Sequence, residues 1–422
     1  MNIKELFEQR KDDPVWNTSY PVSPADWARY RVPGSLSFAS DKELSFYIHV
    51  PFCRRLCSFC EYTRMVCPDE DVQGKYVRTV DREVSRFISG HPEAVLRGFD
   101  IGGGTPTALS EKNLDLLLQT FREATDRLDV AADFEPSIEA TFDTVTERKA
   151  ALIARAGIRR VSLGIQSTDS GVLKMNHRTG IDIESMKRTV EMLHGSGIRK
   201  VNLDMMYGLR GQTAETLRTD LQTISYLNPE QVTLYELRTN MIHERIHMSK
   251  EELYQAYAAL YDGLTAMGYR ARFGQNTFSR DPDDMGLSSY LRSRMLDGVA
   301  YKGFGISAQS MSGEGISYNI GKSSGAVREL IDSADYPEEY TYVLPPQELA
   351  AKYIAIGAYG GSFSLSRLTS ILGRDAKGCY KEQLDFCLAE GYLEILEDRI
   401  YITQKGFKYY GAVFSLFHSL EG

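Results

Sequence analysis

The strongest constraint on this chain is an alternation of two periodicities that begins near residue 45. Short β-rich runs recur as SFYIHV (45–50), GFDIG (98–102), PSIEAT (136–141), RVSLGIQ (160–166), KVNLDMMYG (200–208) and QVTLYEL (231–237). Between them stand stretches with helical spacing: VRTVDREVSRFI (77–88), NLDLLLQTFREAT (113–125), ERKAALIARA (147–156) and IESMKRTVEMLHGSG (183–197). Strands joined by helices of this length pair in parallel, because a parallel neighbour needs a crossover connection. Six such units in a row fit an open or partial (β/α)6 barrel better than a short doubly wound sheet. The fold class is therefore α/β, with the barrel over residues 45–240 and an extension over 241–344 that completes its pocket.

The flanks have a different texture. Residues 1–44 carry Pro14, Pro21, Pro24 and Pro33, which block long regular elements, interleaved with Trp16, Tyr20, Trp27 and Tyr30. They read as an irregular N-terminal arm that either covers a barrel face or closes over a cleft. From residue 345, LPPQELAAKYIAIGAYGG, SLSRLTSILG and GCYKEQLDFCLAEG read as helices, followed by two short strands around a polar turn at Glu397-Asp398. This is a C-terminal α+β cap of winged-helix character over 345–422. Units of this kind often bind DNA, but the net charge of −8 and the lack of a strongly basic helix favour a plain cap and no nucleic-acid partner. The N-terminus has no apolar signal core, and no run of about 18 apolar residues occurs, so the expectation is a cytoplasmic monomer that does not enter a membrane.

The chemistry is concentrated in FYIHVPFCRRLCSFCEYTRMV, residues 46–66. Directly after the first strand it places Cys53, Cys57 and Cys60 as C-x3-C-x2-C. A structural zinc site would usually pair C-x2-C elements and supply four ligands; a zinc or a chance cluster is the competing reading. Three thiolates on a cubane leave one iron without a cysteine. An open iron can take the amine and carboxylate of an amino acid, and S-adenosylmethionine (SAM) carries both beside its sulfonium. An electron from a reduced [4Fe–4S] cluster then breaks the S–C5′ bond, with the protein positioning and shielding the radical that results. Cys67, Cys379 and Cys387 read as ordinary thiols, and His49 as a packed, hydrogen-bonded histidine rather than a ligand. Glu139, Gln166, Asp204 and Tyr235 each fall at or near the C-terminal end of a separate strand, the rim where parallel βα barrels build their sites. Taken singly, each is equally a rim hydrogen bond to backbone.

The stretch resembles radical SAM enzymes, in particular the oxygen-independent coproporphyrinogen oxidase (HemN-like) family. NTSYP (17–21), GGGTPT (102–107), SIEAT (137–141), SLGIQS (162–167), NHR (176–178), NLDMMYGLRGQT (202–213) and GFGISAQSMSG (303–313) follow in that family's order, over about residues 16–420. The resemblance implies a radical SAM barrel with the cluster on Cys53, Cys57 and Cys60. It implies that Tyr47 and Phe59 flank the bound SAM and that Gly103, Gly104 and Thr105 contact it. Glu139, Gln166, Arg178 and Asp204 would bind SAM polar groups, with Glu236 and Gln309 at further contact positions. Gln166, Arg178 and Asp204 belong to a second SAM in the coproporphyrinogen enzymes, so two SAM molecules are implied, with a flavodoxin- or ferredoxin-type reductant.

The likeness breaks at one place. The decarboxylase of the family carries a further cysteine two residues after the third, and here Tyr62 stands there, after Glu61. Related families transfer methyl groups, open haem or chaperone haem, and fold likeness does not choose among them. With two SAM molecules, methyl or methylene transfer to an unsaturated carbon of a large organic substrate ranks first. Coproporphyrinogen III decarboxylation ranks second. A haem-binding chaperone or haem-modifying enzyme ranks third, because it does not need so complete a second SAM set. A carboxylate-rich porphyrinogen would call for basic residues at the mouth. Arg54, Arg55, Arg64, Arg210 and Arg238 lie in or beside motif segments; Arg54 and Arg55 read as solvated, and Arg238 is the better candidate.

Overall fold

In a computed structural model of the chain, the six β-rich runs form the core strands β1 (Glu43–Val50), β2 (Val95–Gly103), β3 (Ser137–Ala140), β4 (Arg160–Gln166), β5 (Lys200–Tyr207) and β6 (Gln231–Glu236). The structure describes residues 2–11, 20–21, 24–237, 247–321, 325–333 and 338–418. Arg238, Trp16 and residues 17–19 of NTSYP lie outside the described residues.

The crossover helices are α1 (Glu70–Gly90), α2 (Glu111–Arg127), α3 (Glu147–Arg155), α4 (Ile183–Gly195) and α5 (Ala214–Leu227). Each begins on a side-chain N-cap: Asp69, Ser110, Thr146, Asp182 and Thr213 each accept from the backbone N–H three residues further on. The helices pack on the sheet through Val77, Val80, Leu117, Phe121, Ile153 and Ile224, all buried. With helices on one side and packed side chains on the other, the strands read as nearly continuous apolar runs rather than alternating ones.

The six strands pair in parallel in chain order, and a seventh parallel strand, Ala300–Phe304, lies against the outer edge of β1. Beyond it the sheet turns antiparallel through Gln309–Met311, Gly315–Asn319 and Glu338–Val343 to Arg31–Val32. Thr277–Ser279 adds antiparallel to β6 at the opposite edge. Among the described residues the two edges do not meet, so the barrel is open, as the sequence predicts. The segment expected to extend the barrel thus serves both edges. Lys302 and Glu338 form a buried ion pair of 2.5 Å that fixes the antiparallel half to the parallel one.

The arm is less irregular than its prolines suggest. Ile3–Arg10 is a helix with a capping box between Asn2 and Glu5. It lies N-terminal to every proline in the chain, so nothing blocks it. Its Phe7 stacks on Tyr392 at 4.9 Å and meets Tyr409 edge-on at 5.8 Å, joining the C-terminal core. Trp27 is buried against Tyr342 and Leu349, and its indole N–H donates to Glu348 at 2.9 Å.

The cap contains Pro346–Gly357, Leu365–Leu372 and Lys381–Ala389, with a hairpin of Leu393–Leu396 and Arg399–Ile402. Glu397 sits at φ +54° in the hairpin turn. Ser362–Ser364 adds a third strand, too short to leave a periodic signal. This is the winged-helix order of helices and strands. No helix among the described residues is long and apolar enough to cross a membrane.

A short helix, Ser289–Arg292, crosses β2 at Gly98, where an added Cβ would lie 2.2 Å from the Tyr290 backbone nitrogen. Gly98→Ala must therefore push this helix off the sheet. It is expected to cost about 1–3 kcal/mol, read as a lower denaturant midpoint, and an unchanged midpoint would show the contact to be soft.

Candidate active site

The cysteine stretch leaves β1 and doubles back over the C-terminal ends of the strands. Phe52–Cys53 and Met65–Val66 form a short parallel ladder that closes the stretch into a loop. The glycine run after β2 receives it: Gly104 N–H donates to the Val50 carbonyl at 2.7 Å and Thr105 N–H to that of Phe52 at 2.8 Å. A Cβ on Gly104 would sit 2.8 Å from the Pro51 carbonyl carbon. Gly103 has φ +111°, and a Cβ there would meet the His49 ring at 2.6 Å. The glycines are thus required by the approach of protein neighbours.

Each of the three thiols has a donor or cation beside it. The Thr105 hydroxyl points at Cys53 Sγ at 3.7 Å, and Arg178 Nη1 at Cys57 Sγ at 3.6 Å. Arg64 donates to the Cys57 carbonyl at 2.5 Å, and its charge favours the thiolates of Cys60 and Cys53. Against this, burial pushes the Cys53 thiol up to about 11 and raises Cys60 as well. In the metal-free chain Cys53 and Cys60 are therefore held as thiols. Among the described residues no three thiol, imidazole or carboxyl groups gather as they would around one metal ion. Ligands on separate irons of one cluster do not have to converge in that way. The donor set, with its flanking cations, fits an anionic cluster and does not resemble a closed four-ligand zinc site.

The NHR motif ties this loop to the barrel. The Asn176 carbonyl accepts from Ser58 N–H, while its side-chain amide reaches the Val172 and Arg210 carbonyls at 2.7 and 2.9 Å. His177 occupies a left-handed turn at φ +56°, which sends Arg178 back to Cys57 and to the Gly164 carbonyl. Phe59 packs on Val172, Leu209 and Leu237. His49 is buried, bonded to the Thr63 carbonyl at 2.8 Å and lowered to about 4 by burial, so it is a neutral, packed histidine. Arg54 and Arg55 are exposed and bonded to Asp143 and Thr179, and Arg210 is exposed.

Glu139, Gln166 and Tyr235 stand at the C-terminal ends of β3, β4 and β6, and Asp204, in the middle of β5, pairs with Gly164 and Thr233 and lines the same cavity as Glu139 and Tyr235. Gly103 N–H donates to Glu139 Oε2 at 3.0 Å. The carboxyl opens on the cleft, but the surrounding protein, helped by the nearby Asp204 charge, pushes it up to about 8. Asp204 accepts from Ser162 at 2.8 Å and Asn202 at 2.9 Å, yet burial still raises it. Gln166 has φ +64°, and its Oε1 is buried with no partner, the amide lying beside Gly164. Tyr47 stacks on Tyr290 with ring centres 5.6 Å apart.

Two predicted residues are engaged elsewhere. Glu236 accepts from the Tyr207 and Tyr410 hydroxyls at 3.2 and 3.0 Å, joining the barrel to the cap. Gln309 is held by Tyr301, Tyr318 and Arg294 on the antiparallel extension.

Beneath the rim lies a polar layer that sequence reading did not find. Arg160, 3% exposed, donates to Gln231 at 2.7 Å and Ser137 at 2.8 Å. With Asp100, Ser162, Asn202 and Thr233 it surrounds a cavity of about 30 Å³ that opens toward Glu139 and Tyr235. A single arginine at the start of a β-rich run gives no periodic signal, and only strand register brings these side chains to one level.

A radical SAM superfamily profile matches residues 47–224. The haem chaperone HemW of Bacillus subtilis is 25% identical over 375 residues, covering 86% of this chain and 96% of that protein. The oxygen-independent coproporphyrinogen III oxidase of Cereibacter sphaeroides is 30% identical over 292 residues, covering 64% and 62%. The solved structure of coproporphyrinogen III oxidase HemN from Escherichia coli superposes with a TM-score of 0.74 at 22% identity, over 90% of this chain and 91% of that one. These likenesses overturn methyl or methylene transfer as the leading reading, and with it the transferase class, because the relatives are a haem chaperone and coproporphyrinogen oxidases. Motifs shared across a fold family do not fix the reaction.

Glu139 gives a measurable signature in the cluster-free chain. Its folded pKa of about 8 lies above the ordinary carboxyl value, so between the two the folded state holds a proton that the unfolded state has lost. Stability then falls as pH rises through this window. Asp100 and Glu83, both pushed up to about 7 by burial, add to the slope. Glu139→Gln is expected to flatten part of it in denaturant melts from about pH 5 to about pH 8, and an identical slope would refute the assignment.

Proposed function

We propose, from the premise that this chain belongs to the radical SAM superfamily and its HemN-like branch, that it cleaves SAM at a [4Fe–4S] cluster and receives a haem-class tetrapyrrole in the same cleft. The observation that carries the tetrapyrrole is the whole-length likeness to the haem chaperone, 96% of that protein against 62% of the oxidase. Tyr62, exposed at the mouth where the decarboxylase pattern has a cysteine, supports haem over coproporphyrinogen decarboxylation.

Cys53, Cys57 and Cys60 would hold the cluster, with Thr105, Arg178 and Arg64 offsetting its negative charge. When bound, the cluster supplies the electron that splits the S–C5′ bond of SAM. Gly103, Gly104, Thr105 and Glu139 would take the amino end of that SAM. The Glu139 carboxyl, held by the Gly103 N–H, would accept from an N–H of that amine once its own proton has left. Tyr47 and Phe59 would wall the adenosyl side and exclude water from the radical. Gln166, with its unpaired acceptor, and Asp204 would serve a second SAM together with Arg178. A flavodoxin- or ferredoxin-type protein would be the reductant.

Anaerobic reconstitution is expected to load about four irons per chain. Dithionite and SAM should then give 5′-deoxyadenosine, and Cys57→Ala should lower this at least about tenfold. Haem should bind the reconstituted protein with a shifted Soret band. Release of CO2 and protoporphyrinogen from coproporphyrinogen would instead establish the decarboxylase. Equilibrium dialysis against labelled SAM is expected to saturate at two molecules per chain, and saturation at one would remove the second site.

A further inference from the structure

Arg294 has no counter-charge among the described residues. It lies on a five-residue π-helical turn, Ser293–Asp297, that follows the helix crossing Gly98. Such turns are rare and cluster at functional sites. The turn is pinned to β1 by Ser293, whose hydroxyl meets that of Ser45 at 2.7 Å, and it ends on Gly298 at φ +64°. The guanidinium sits among aromatic rings. Its centre is 4.4 Å from the Tyr301 ring, Nη1 donates to the Tyr290 hydroxyl at 3.2 Å, and Nη2 to Gln309 Oε1 at 3.3 Å. Nε is buried with no partner. Every partner is neutral, and no carboxylate of the described residues lies within ion-pair distance.

Enclosing a charge costs several kcal/mol unless it is paired, and neutral hydroxyl and amide partners recover only part of that. Surface arginines of this chain do find acids: Arg97 meets Glu43, Asp133 and Asp297, and Arg292 meets Asp133. Arg294 is set apart from these by its position. Tyr290, its hydrogen-bond partner, stacks on Tyr47 at the wall of the SAM cleft. Tyr62, at the mouth, is within electrostatic reach of the guanidinium. The residue is half-buried, not sealed in the core.

We propose that Arg294 anchors a carboxylate of the tetrapyrrole that enters this cleft, with Tyr290, Tyr301 and Gln309 fixing the guanidinium in place. The inference rests on the tetrapyrrole reading above and adds to it the group that selects a free acid. A planar guanidinium binds a carboxylate through two parallel hydrogen bonds, which lysine cannot reproduce. The aromatic walls exclude water and strengthen that pair. The carboxylate of SAM is the other possible source of the same chemistry, and the two sources part in the test.

The test is titration of the reconstituted protein with haem and with haem dimethyl ester, whose propionates carry no charge. The wild-type chain is expected to bind haem roughly tenfold or more tighter than the diester. In Arg294→Gln the ratio of the two affinities should collapse toward one, and Arg294→Lys should restore it only in part. A cooperative thermal transition in both variants shows that the fold is kept. An Arg294→Gln chain that still prefers haem overturns the anchor while leaving the tetrapyrrole reading intact. A wild-type chain that binds neither compound overturns both. If the ratio is kept and SAM binding weakens instead, the carboxylate belongs to SAM and the proposal fails.

Discussion

The site depends on one close approach, that of the cysteine loop to the glycine run after β2. Two backbone hydrogen bonds, Gly104 to Val50 and Thr105 to Phe52, lock the loop across the strand ends. They form only because no side chain stands between the two backbones. A Cβ at Gly102, Gly103 or Gly104 would lie 2.6–2.8 Å from Glu139, His49 or Pro51 respectively. These three contacts connect β1, β2 and β3 at one level. The cysteines, the rim carboxyl and the packed histidine therefore share one frame. Thr105, the next residue, turns its hydroxyl to Cys53 from the same frame.

Charge is arranged in two layers around that frame. At the rim, Arg64 and Arg178 stand beside the thiols, so positive charge meets the place where an anionic cluster would sit. Along the cavity beneath it, the rim carboxyl of Glu139 joins Asp100, Asp204 and Arg160, and burial raises all three acids. One arginine does not neutralise three enclosed carboxyls, so part of the set keeps its protons at neutral pH. Arg294 shows the reverse arrangement, a guanidinium among tyrosines with no carboxylate of the described residues within ion-pair distance.

Much of the frame is legible in the sequence because its signals are local. The β-rich runs match the core strands to within three residues at either end, since buried parallel strands need continuous apolar side chains. The crossover helices carry their own caps. The C-x3-C-x2-C spacing and the glycine run each reside in a few consecutive residues. What escaped had no local signal. Ser362–Ser364 is three residues long, and the helix Ile3–Arg10 was hidden by the proline count of the segment that follows it. Arg160 and Arg294 look like any other arginine until the strand register and the π turn place them. Glu236 carries a motif position, yet tertiary packing gives it to two tyrosines, one from the cap.

The reaction itself was the least legible part. Motifs that hold a cofactor are shared by proteins that use it differently, and the ranking that favoured methyl transfer rested on such motifs. The sequence by itself determined the parallel α/β frame, the cysteine triad and the glycine cradle, because periodicity and spacing act over a few residues. Only the tertiary structure decided which charged groups are paired, which face the cleft and which are left without a counter-charge. Electrostatic partnership is a property of distance and burial, and residues as far apart in the chain as Cys57 and Arg178, or Tyr47 and Tyr290, become neighbours only after the sheet has set its register.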